Sequence, residues 1–372
     1  MNMKSIQWHL KRSNWVLTLS ILALIVIGIF FIYSASFQSE QIPVSAMYRR
    51  QIGWAFLGLL GYITLAMNDY RRLANAAWWI YAAVLFLLTL VLFVGTEVYG
   101  ASRWLSLFGI RLQPSEFAKL AVILVVARYW ARPGRMMNEP LDLILSLMIA
   151  GAPLILIVRQ PDLGTAATLA PIVIGILFVG GVRLKYLMIL LLLGLLLLPV
   201  VWMGMGEYQR ERIMVFVDPD RDPYGAGWNK MQSEIAVGSG GLTGKGYLQG
   251  TQNVLGYLPR TVAPTDFIYS VIAEEKGFVG AVTVLGLFGI LLMSGIRAIW
   301  VASDPLGRLI ATGITCMLFF HVFVNVAMTI GLMPITGLPL PLMSYGGSFM
   351  ISTMLALGLL QSITIRRGRR YV

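Results

Sequence analysis

The chain has 372 residues, of which 58% are hydrophobic and only 12% are charged. This composition excludes a soluble globular protein and predicts a polytopic membrane protein. The formal charge of +12 does not indicate nucleic-acid binding, because the basic residues are dispersed among apolar segments rather than gathered on one face. A single cysteine, Cys316, and two histidines, His9 and His321, exclude a disulfide framework and argue against a zinc centre.

In chain order, ten apolar segments are predicted as transmembrane helices. They lie near residues 15–35, 51–68, 77–95, 115–131, 141–158, 165–182, 184–204, 278–300, 308–331 and 346–364. Lysine and arginine are concentrated on the side of the N-terminus, whereas the short loops opposite hold Arg49, Arg50, Arg103, Arg111 and Arg159. The positive-inside rule therefore predicts that both termini are cytoplasmic. We expect an all-α fold in one membrane domain covering residues 1–372.

The longest connection, residues 205–266, joins the seventh and eighth predicted helices and is extracytoplasmic in this topology. A connection of this length usually carries function or folds on its own. Its glycine, tyrosine and tryptophan residues predict ordered structure packed on the outer face of the bundle. The run GSGGLTGKGY is not a nucleotide-binding loop, because Gly246 follows Lys245 where such a loop requires serine or threonine.

The stretch TDFIYSVIAEEKGF, residues 265–278, places charges at the start of the eighth predicted span. Thr265 is predicted to cap a helix, which puts Asp266 in a first turn whose free N–H groups favour an anion. At a rise of about 1.5 Å per residue, Asp266 and Glu274 would lie ~12 Å apart along the axis. Paired glycosidase carboxylates are about 5–9.5 Å apart, so these two cannot form such a pair.

A break is predicted at Gly277, so that residues 266–276 form a half-helix or interfacial helix before the span. Glu274 and Glu275 are predicted to be polar anchoring at the membrane edge rather than catalytic groups. For Asp266, catalysis and a capping or solvated role are equally compatible with the residues alone.

A second group of ionisable residues precedes and opens the fourth predicted span. Glu116 and Lys119 are three residues apart on one helix face and can pair. Ionisable residues at this depth face a protein interior or a watery cavity, and a structural ion pair is the alternative. Arg103 is a candidate anion binder, since arginine makes forked contacts with phosphate.

Two further segments lie at the ends of predicted spans. Asp162, in RQPDLGTAATLAP, suits metal or hydroxyl binding, although a helix cap explains it equally well. The uncharged run GLMPITGLPLPLMSYGGS, residues 331–348, is either an outer loop or a re-entrant segment lining a cavity. In the second case, Ser344 and the nearby backbone N–H groups would bind anionic oxygens.

Taken together, GAGWNKMQSEIAVGSGGLTGKGYLQGTQ, TDFIYSVIAEEKGFVG, RLQPSEFAKLA, QPDLGTA and GLPLPLMSYGGS resemble the SEDS family (shape, elongation, division and sporulation) over nearly the whole chain. The resemblance implies a peptidoglycan glycosyltransferase of the bacterial cytoplasmic membrane that polymerises lipid II on its outer face during cell elongation. It also implies a class B penicillin-binding protein and other elongation-complex membrane proteins as partners.

Carried onto this sequence, the family's essential acid is Asp266, its paired charges are Glu116 and Lys119, and its second acid is Asp162. One departure precedes Asp266, where the chain has LPRTVAPTDF: Arg260 stands near a usual glutamate and Pro264 replaces a usual histidine.

The implied reaction needs one base at the acceptor hydroxyl and positive charge at the pyrophosphate leaving group. Arg103, Arg210 and Lys245 are the candidate basic residues, although the last two are as compatible with ordinary loop charges. A divalent cation is a further hypothesis, because a helix start would make Asp266 a weak base. A lipid flippase and a non-catalytic scaffold for the partner synthase remain as alternative functions.

Overall fold

The computed structural model describes residues 3–37, 46–98, 101–107, 110–132, 140–259 and 261–368. These residues form fifteen α-helices, one short 3-10 helix and three short β-strands. The helices are α1 (Met3–Arg12), α2 (Trp15–Ser36), α3 (Met47–Met67), α4 (Tyr70–Asn75), α5 (Ala77–Val94), α6 (Pro114–Trp130), α7 (Pro140–Arg159), α8 (Leu163–Val179), α9 (Leu184–Gly204), α10 (Glu207–Val217), α11 (Ala226–Ser239), α12 (Thr251–Val254), α13 (Ile268–Val301), α14 (Pro305–Thr329) and α15 (Gly347–Ile365). The strands are β1 (Thr96–Val98), β2 (Ala101–Leu107) and β3 (Ile110–Leu112). Arg260 lies outside the described residues.

Each of the ten apolar segments coincides with a helix, and the chain is mostly helical. In the described part of the chain, seven helices are long and apolar enough to cross a membrane: α2, α5, α7, α9, α13, α14 and α15. Helix α8 is apolar but has 17 residues. The remaining two of the ten predicted spans correspond to α3 and α6, which carry charged residues within the helix or at its start.

The centre of the bundle is formed by α6, α14 and α15. Helix α15 packs on α3, α14 packs on α8 and α13, and α6 packs on α5. Nearly every residue of α6 is buried, including Glu116 and Lys119, because α5, α7, α8, α14 and α15 pack around this helix. Helix α9 lies at the periphery, and its most apolar window contains no buried residue.

A small antiparallel sheet corrects the expectation of an all-α fold. Strands β1, β2 and β3 pair in sequence order between α5 and α6. The strands are short, so their alternation was too brief to stand out beside the long apolar spans. Leu105 in β2 is buried at 4% exposure. The sheet fixes the position of Arg103, which also lies in β2.

The connection at 205–266 is ordered over its described residues, as predicted. It contains α10, the 3-10 helix Pro219–Arg221, α11 and α12. Helix α11 packs along α13 and also contacts α14. This connection therefore covers the end of the bundle at which α13 begins.

The predicted break at Gly277 is present in α13. Gly277 has φ 62° and ψ −160°, a left-handed backbone conformation that favours glycine. The loop that precedes α12 bridges the break: the N–H groups of Phe278 and Val279 donate to the carbonyls of Gly241 (2.8 Å) and Leu242 (3.1 Å). The carbonyls just before the break accept N–H groups from the same loop. Backbone groups released by the break are thus paired again.

Two expectations about residues 265–276 were wrong. Asp266 is not in the first helical turn, because the helix begins at Ile268. Asp266 lies in the preceding turn, where its backbone N–H donates to the Val262 carbonyl at 2.9 Å. Glu274 and Glu275 do not anchor the membrane edge, because both are fully buried. The connection folds over them.

Candidate functional site

The main chain at Asp266 is fixed between α14 and the loop that links α14 to α15. The side-chain amide of Asn325, in α14, donates to the Asp266 carbonyl at 3.0 Å and to the Leu338 carbonyl at 2.8 Å. Asn325 is fully buried. One amide group therefore joins the turn that carries Asp266 to the proline- and glycine-rich segment 331–346.

A basic side chain from α10 reaches the same place. Nη1 of Arg212 donates to the Ile335 carbonyl at 3.2 Å. A β-carbon added to Gly337 would lie 3.5 Å from this Nη1 and 3.7 Å from Oδ2 of Asp266. Gly337 has φ 73°. The side chains of Arg212 and Asp266 thus lie beside Gly337. Because Gly337 has no side chain, the space between these two groups stays open.

A second arginine and a second acid meet at the start of α8. Asp162 caps α8 by accepting the Thr165 N–H at 3.1 Å, and Nη1 of Arg103 lies 3.8 Å from its Oδ1. Gln113 donates to its Oδ2 at 3.2 Å. Arg103 also donates to the carbonyls of Gln160 and Pro161. The helix-cap interpretation of Asp162 is therefore correct, and the cap lies beside Arg103.

These groups act electrostatically on Asp266. Burial is the largest influence and raises the pKa of the Asp266 carboxyl above its ordinary value. Arg212, a hydrogen bond from Thr265, and Arg103 lower this pKa, while the negative charge of Asp162 raises it. Asp266 keeps part of its surface accessible. Its carboxyl group therefore binds a proton more strongly than that of an exposed aspartate, and it is under the influence of two guanidinium charges.

The described residues contain no preformed cluster of protein ligands for a divalent cation. No three His, Cys, Asp or Glu side chains among them are grouped as metal ligands. Both oxygens of Asp162 already accept protein hydrogen bonds, from Thr165 and Gln113. Positive charge beside Asp266 comes instead from Arg212 and Arg103. Because Asp266 lies before the helix start, the argument that a helix start makes it a weak base no longer applies.

The predicted pair of Glu116 and Lys119 is formed, below the loop 331–346. The ammonium of Lys119 lies 2.8 Å from Oε2 of Glu116 and 2.9 Å from Nε2 of His321, and all three side chains are buried. An ammonium only donates, so Nε2 of His321 accepts and Nδ1 donates to the Pro339 carbonyl at 3.3 Å. The pair thus supports the same loop that contacts Asp266.

Three predicted site residues make other contacts. Ser344 donates to the Thr265 carbonyl and accepts the Leu340 N–H at 2.9 Å, so its hydroxyl holds the loop to the turn before Asp266. Lys245 contacts Glu274 at 2.8 Å and Thr251. Arg210 donates to the carbonyls of Trp202 (3.0 Å) and Met203 (2.6 Å) at the end of α9.

Four residues at the site were not predicted: Arg212, Gln113, Asn325 and Gly337. Arg212 lies two residues after the predicted Arg210, and two residues along a helix turn a side chain by about 200°. Which of the two faces Asp266 depends on how α10 packs. Asn325 had one signal, as a polar residue within an apolar span.

The family profile of the FtsW/RodA/SpoVE cell cycle proteins matches residues 14–368. The peptidoglycan glycosyltransferase MrdB of Escherichia coli K12 is 39% identical over 364 residues, which cover 97% of this chain and 95% of that protein. The peptidoglycan glycosyltransferase RodA of Treponema pallidum is 35% identical over 428 aligned positions, covering 95% and 98%.

Two solved structures share the fold. The rod shape determining protein RodA of Thermus thermophilus is 32% identical, with a TM-score of 0.72 over 96% of this chain and 98% of that one. A chain from a peptidoglycan synthase complex, described as coordinating polymerization and crosslinking, is 35% identical with a TM-score of 0.79 over 96% and 99%. The resemblance identified from the sequence motifs is therefore confirmed, and the chain belongs to the FtsW/RodA/SpoVE family of cell cycle proteins.

Proposed function

We propose that the chain is a peptidoglycan glycosyltransferase that polymerises lipid II into glycan strands during cell elongation. The names of its relatives support the activity. The observation that carries the activity to a site is the carboxylate of Asp266, whose pKa is raised by burial and on which the charges of Arg212 and Arg103 act.

Asp266 is the general base of this proposal. Its carboxylate takes the proton from the acceptor sugar hydroxyl as the hydroxyl oxygen bonds to the anomeric carbon of the donor sugar. The bond from that carbon to the pyrophosphate oxygen breaks, and undecaprenyl pyrophosphate leaves with the electron pair. Attack opposite the leaving group inverts the anomeric centre.

One carboxylate suffices for this chemistry. Pyrophosphate is a stable anion and needs no proton to depart, so a second acid of the glycosidase kind has no task. The negative charge that develops on the pyrophosphate is instead stabilised by positively charged side chains directed at it. Arg212 and Arg103 take that role, because they are the guanidinium groups that act on Asp266.

The same proposal assigns the membrane arrangement. Residues 1–372 form one domain with ten crossings and cytoplasmic termini in the bacterial cytoplasmic membrane, and the connection 205–266 faces outward with Asp266. The distribution of lysine and arginine supports this orientation. A class B penicillin-binding protein is the proposed partner, with other elongation-complex proteins; the fold shared with a synthase complex of polymerization and crosslinking supports it.

The test is polymerisation of labelled lipid II by the purified protein with its partner synthase. Asp266→Asn keeps the size of the side chain but removes the base, and we expect a loss on the order of 10²–10⁴-fold in rate. Asp220→Asn, in the exposed 3-10 helix, is the matched control and retains full activity. An Asp266→Asn protein that polymerises normally would refute the assignment. Transfer of lipid II across vesicles without polymer would favour the flippase.

A further inference from the structure

An apolar groove opens between α2 and α13, with lining residues on both sides of the Gly277 break. The groove encloses about 370 Å³. Its walls come from Ile27 and Phe31 of α2 and from Ile272, Val279 and Val284 of α13. Both helices are apolar enough to cross a membrane, and Val279 at the groove is exposed, as a lipid-facing side chain would be.

One cation lies at the groove. Lys276 lines it and is exposed, together with the hydroxyl-bearing Thr243 and Thr283. A β-carbon at Gly280 would collide with the stem of Lys276, so the missing side chain gives the lysine room to lie along the helix. Among the described residues, no carboxylate lies within salt-bridge distance of Lys276, whose Nζ is 5.8 Å from the ring centre of Tyr247.

We infer that this groove binds an anionic glycerophospholipid, with an acyl chain between α2 and α13 and the phosphate on Lys276. Charge and shape agree: an apolar slot with a single unpaired ammonium at one place suits a molecule that has one anionic head and long apolar chains. A transmembrane helix of a protein partner would bury Lys276 against apolar side chains without an anion, at a considerable energetic cost.

The polyprenyl-linked substrate is a poorer occupant than a phospholipid. Ten residues separate Asp266 from Lys276, which corresponds to about 15 Å at helical rise. A pyrophosphate held beside Asp266 would therefore not reach Lys276 at the same time.

Because the groove contacts both halves of α13, a bound lipid would affect the site at Asp266. Ile272 and Lys276 precede the break at Gly277, while Val279 and Thr283 follow it. A molecule lying against both halves holds their angle, and the first half continues directly from Asp266. This consequence rests on the proposed function, but the binding itself does not.

Binding is tested on the full-length protein by native mass spectrometry, with phosphatidylglycerol and phosphatidylcholine of identical acyl chains. We expect the wild type to retain phosphatidylglycerol preferentially. Lys276→Gln should weaken its retention by about five-fold, the change that corresponds to ~1 kcal/mol per basic side chain at a membrane surface. Thr283→Trp fills the groove and should remove both lipids, and Lys185→Gln, an exposed lysine on α9, should change nothing.

Equal retention by Lys276→Gln and wild type would overturn the inference, as would equal retention of the two lipids by the wild type. Displacement of phosphatidylglycerol by undecaprenyl pyrophosphate at equal concentration would overturn the choice of a phospholipid. If binding holds, phosphatidylglycerol vesicles should raise lipid II polymerisation by the wild type and not by Lys276→Gln. Equal stimulation of both would refute the effect on the site and leave the proposed glycosyltransferase activity standing.

Discussion

Arg212 and Asp266 border a single point, the place that a β-carbon on Gly337 would occupy, at 3.5 Å and 3.7 Å respectively. The two residues come from α10 and from the turn before α13, so the connection 205–266 builds the site from both of its ends. The guanidinium lowers the pKa of Asp266 against the rise that burial causes. In the proposed mechanism, Arg212 thereby favours the ionised form of the base and supplies positive charge for the leaving group.

Arg212→Gln should move the acid limb of the pH–rate profile to higher pH. The base must be ionised to accept a proton, and loss of the nearby positive charge raises the pKa of Asp266 further. Activity is then lost at a higher pH as the solution is acidified. We also expect a fall on the order of 10²-fold in turnover, because a charged donor to the leaving group is removed.

Arg210→Gln is the matched control for this prediction. Arg210 lies on the same helix, and its hydrogen bonds go to the carbonyls at the end of α9. Its removal should leave the pH profile of lipid II polymerisation unchanged. Equal displacement of the acid limb in both variants would show that the effect is one of total charge rather than of contact with Asp266.

Gly337→Ala should reduce polymerisation strongly with a moderate loss of stability. The added methyl enters the space between Arg212 and Asp266, and the backbone φ of 73° is strained for any residue with a β-carbon. Gly241→Ala separates the two effects, because its φ is 56° but open space surrounds its β-carbon position. Both variants should lose roughly 1–3 kcal/mol in unfolding experiments. If Gly337→Ala and Gly241→Ala lose activity equally, backbone strain is responsible, and not the methyl group between Arg212 and Asp266.

Much of the bundle was predictable from the sequence because apolar runs of bilayer length determine where helices form. The break at Gly277 was predictable for the same reason, since the helix was too long for one span. The burial of Glu274 was not, because it depends on a distant segment: Lys245, Thr251 and the Gln252 N–H fold over this carboxylate. Contacts made by a long connection carry little local signal.

The residues of the candidate site were likewise predictable only where the signal is local. Asp266, Asp162 and Arg103 lie next to span ends and were named from the sequence. Arg212 was missed because its neighbour Arg210 has the same chemistry on another face of α10. Ser344 was assigned to anion binding because a serine in a glycine-rich run resembles an anion site, whereas its hydroxyl is engaged by two backbone groups. Residue type identified the candidates, and packing decided among them.

Lys119→Met should destabilise the protein by about 3–5 kcal/mol, measured by chemical denaturation in detergent. The substitution leaves the carboxylate of Glu116 buried without its partner at 2.8 Å. Adding Glu116→Gln should recover part of the loss, because the remaining pair is uncharged. Arg221→Met is the surface control: its ion pair with Asp218 is 3.5 Å long and exposed, so the pair contributes less than ~1 kcal/mol. A double variant less stable than Lys119→Met would contradict this account.

Asn325→Leu should lower the turnover number more than it changes KM. The side chain is similar in size, but it removes the donor that holds the carbonyls of Asp266 (3.0 Å) and Leu338 (2.8 Å). Each buried carbonyl left without a partner costs about 1–3 kcal/mol. Asp266 then loses its fixed position relative to the loop 331–346, and a base displaced by even a fraction of an ångström transfers the proton less efficiently.

Asn253→Leu distinguishes a positioning role of Asn325 from general destabilisation. Asn253 is also fully buried, and its amide donates to the Ser34 carbonyl at 2.7 Å, away from Asp266. We expect both variants to lose unfolding free energy, with one hydrogen bond removed in Asn253→Leu and two in Asn325→Leu, but a reduced turnover only in Asn325→Leu. Equal turnover numbers in the two variants would mean that the hydrogen bonds of Asn325 hold the fold and do not orient the base.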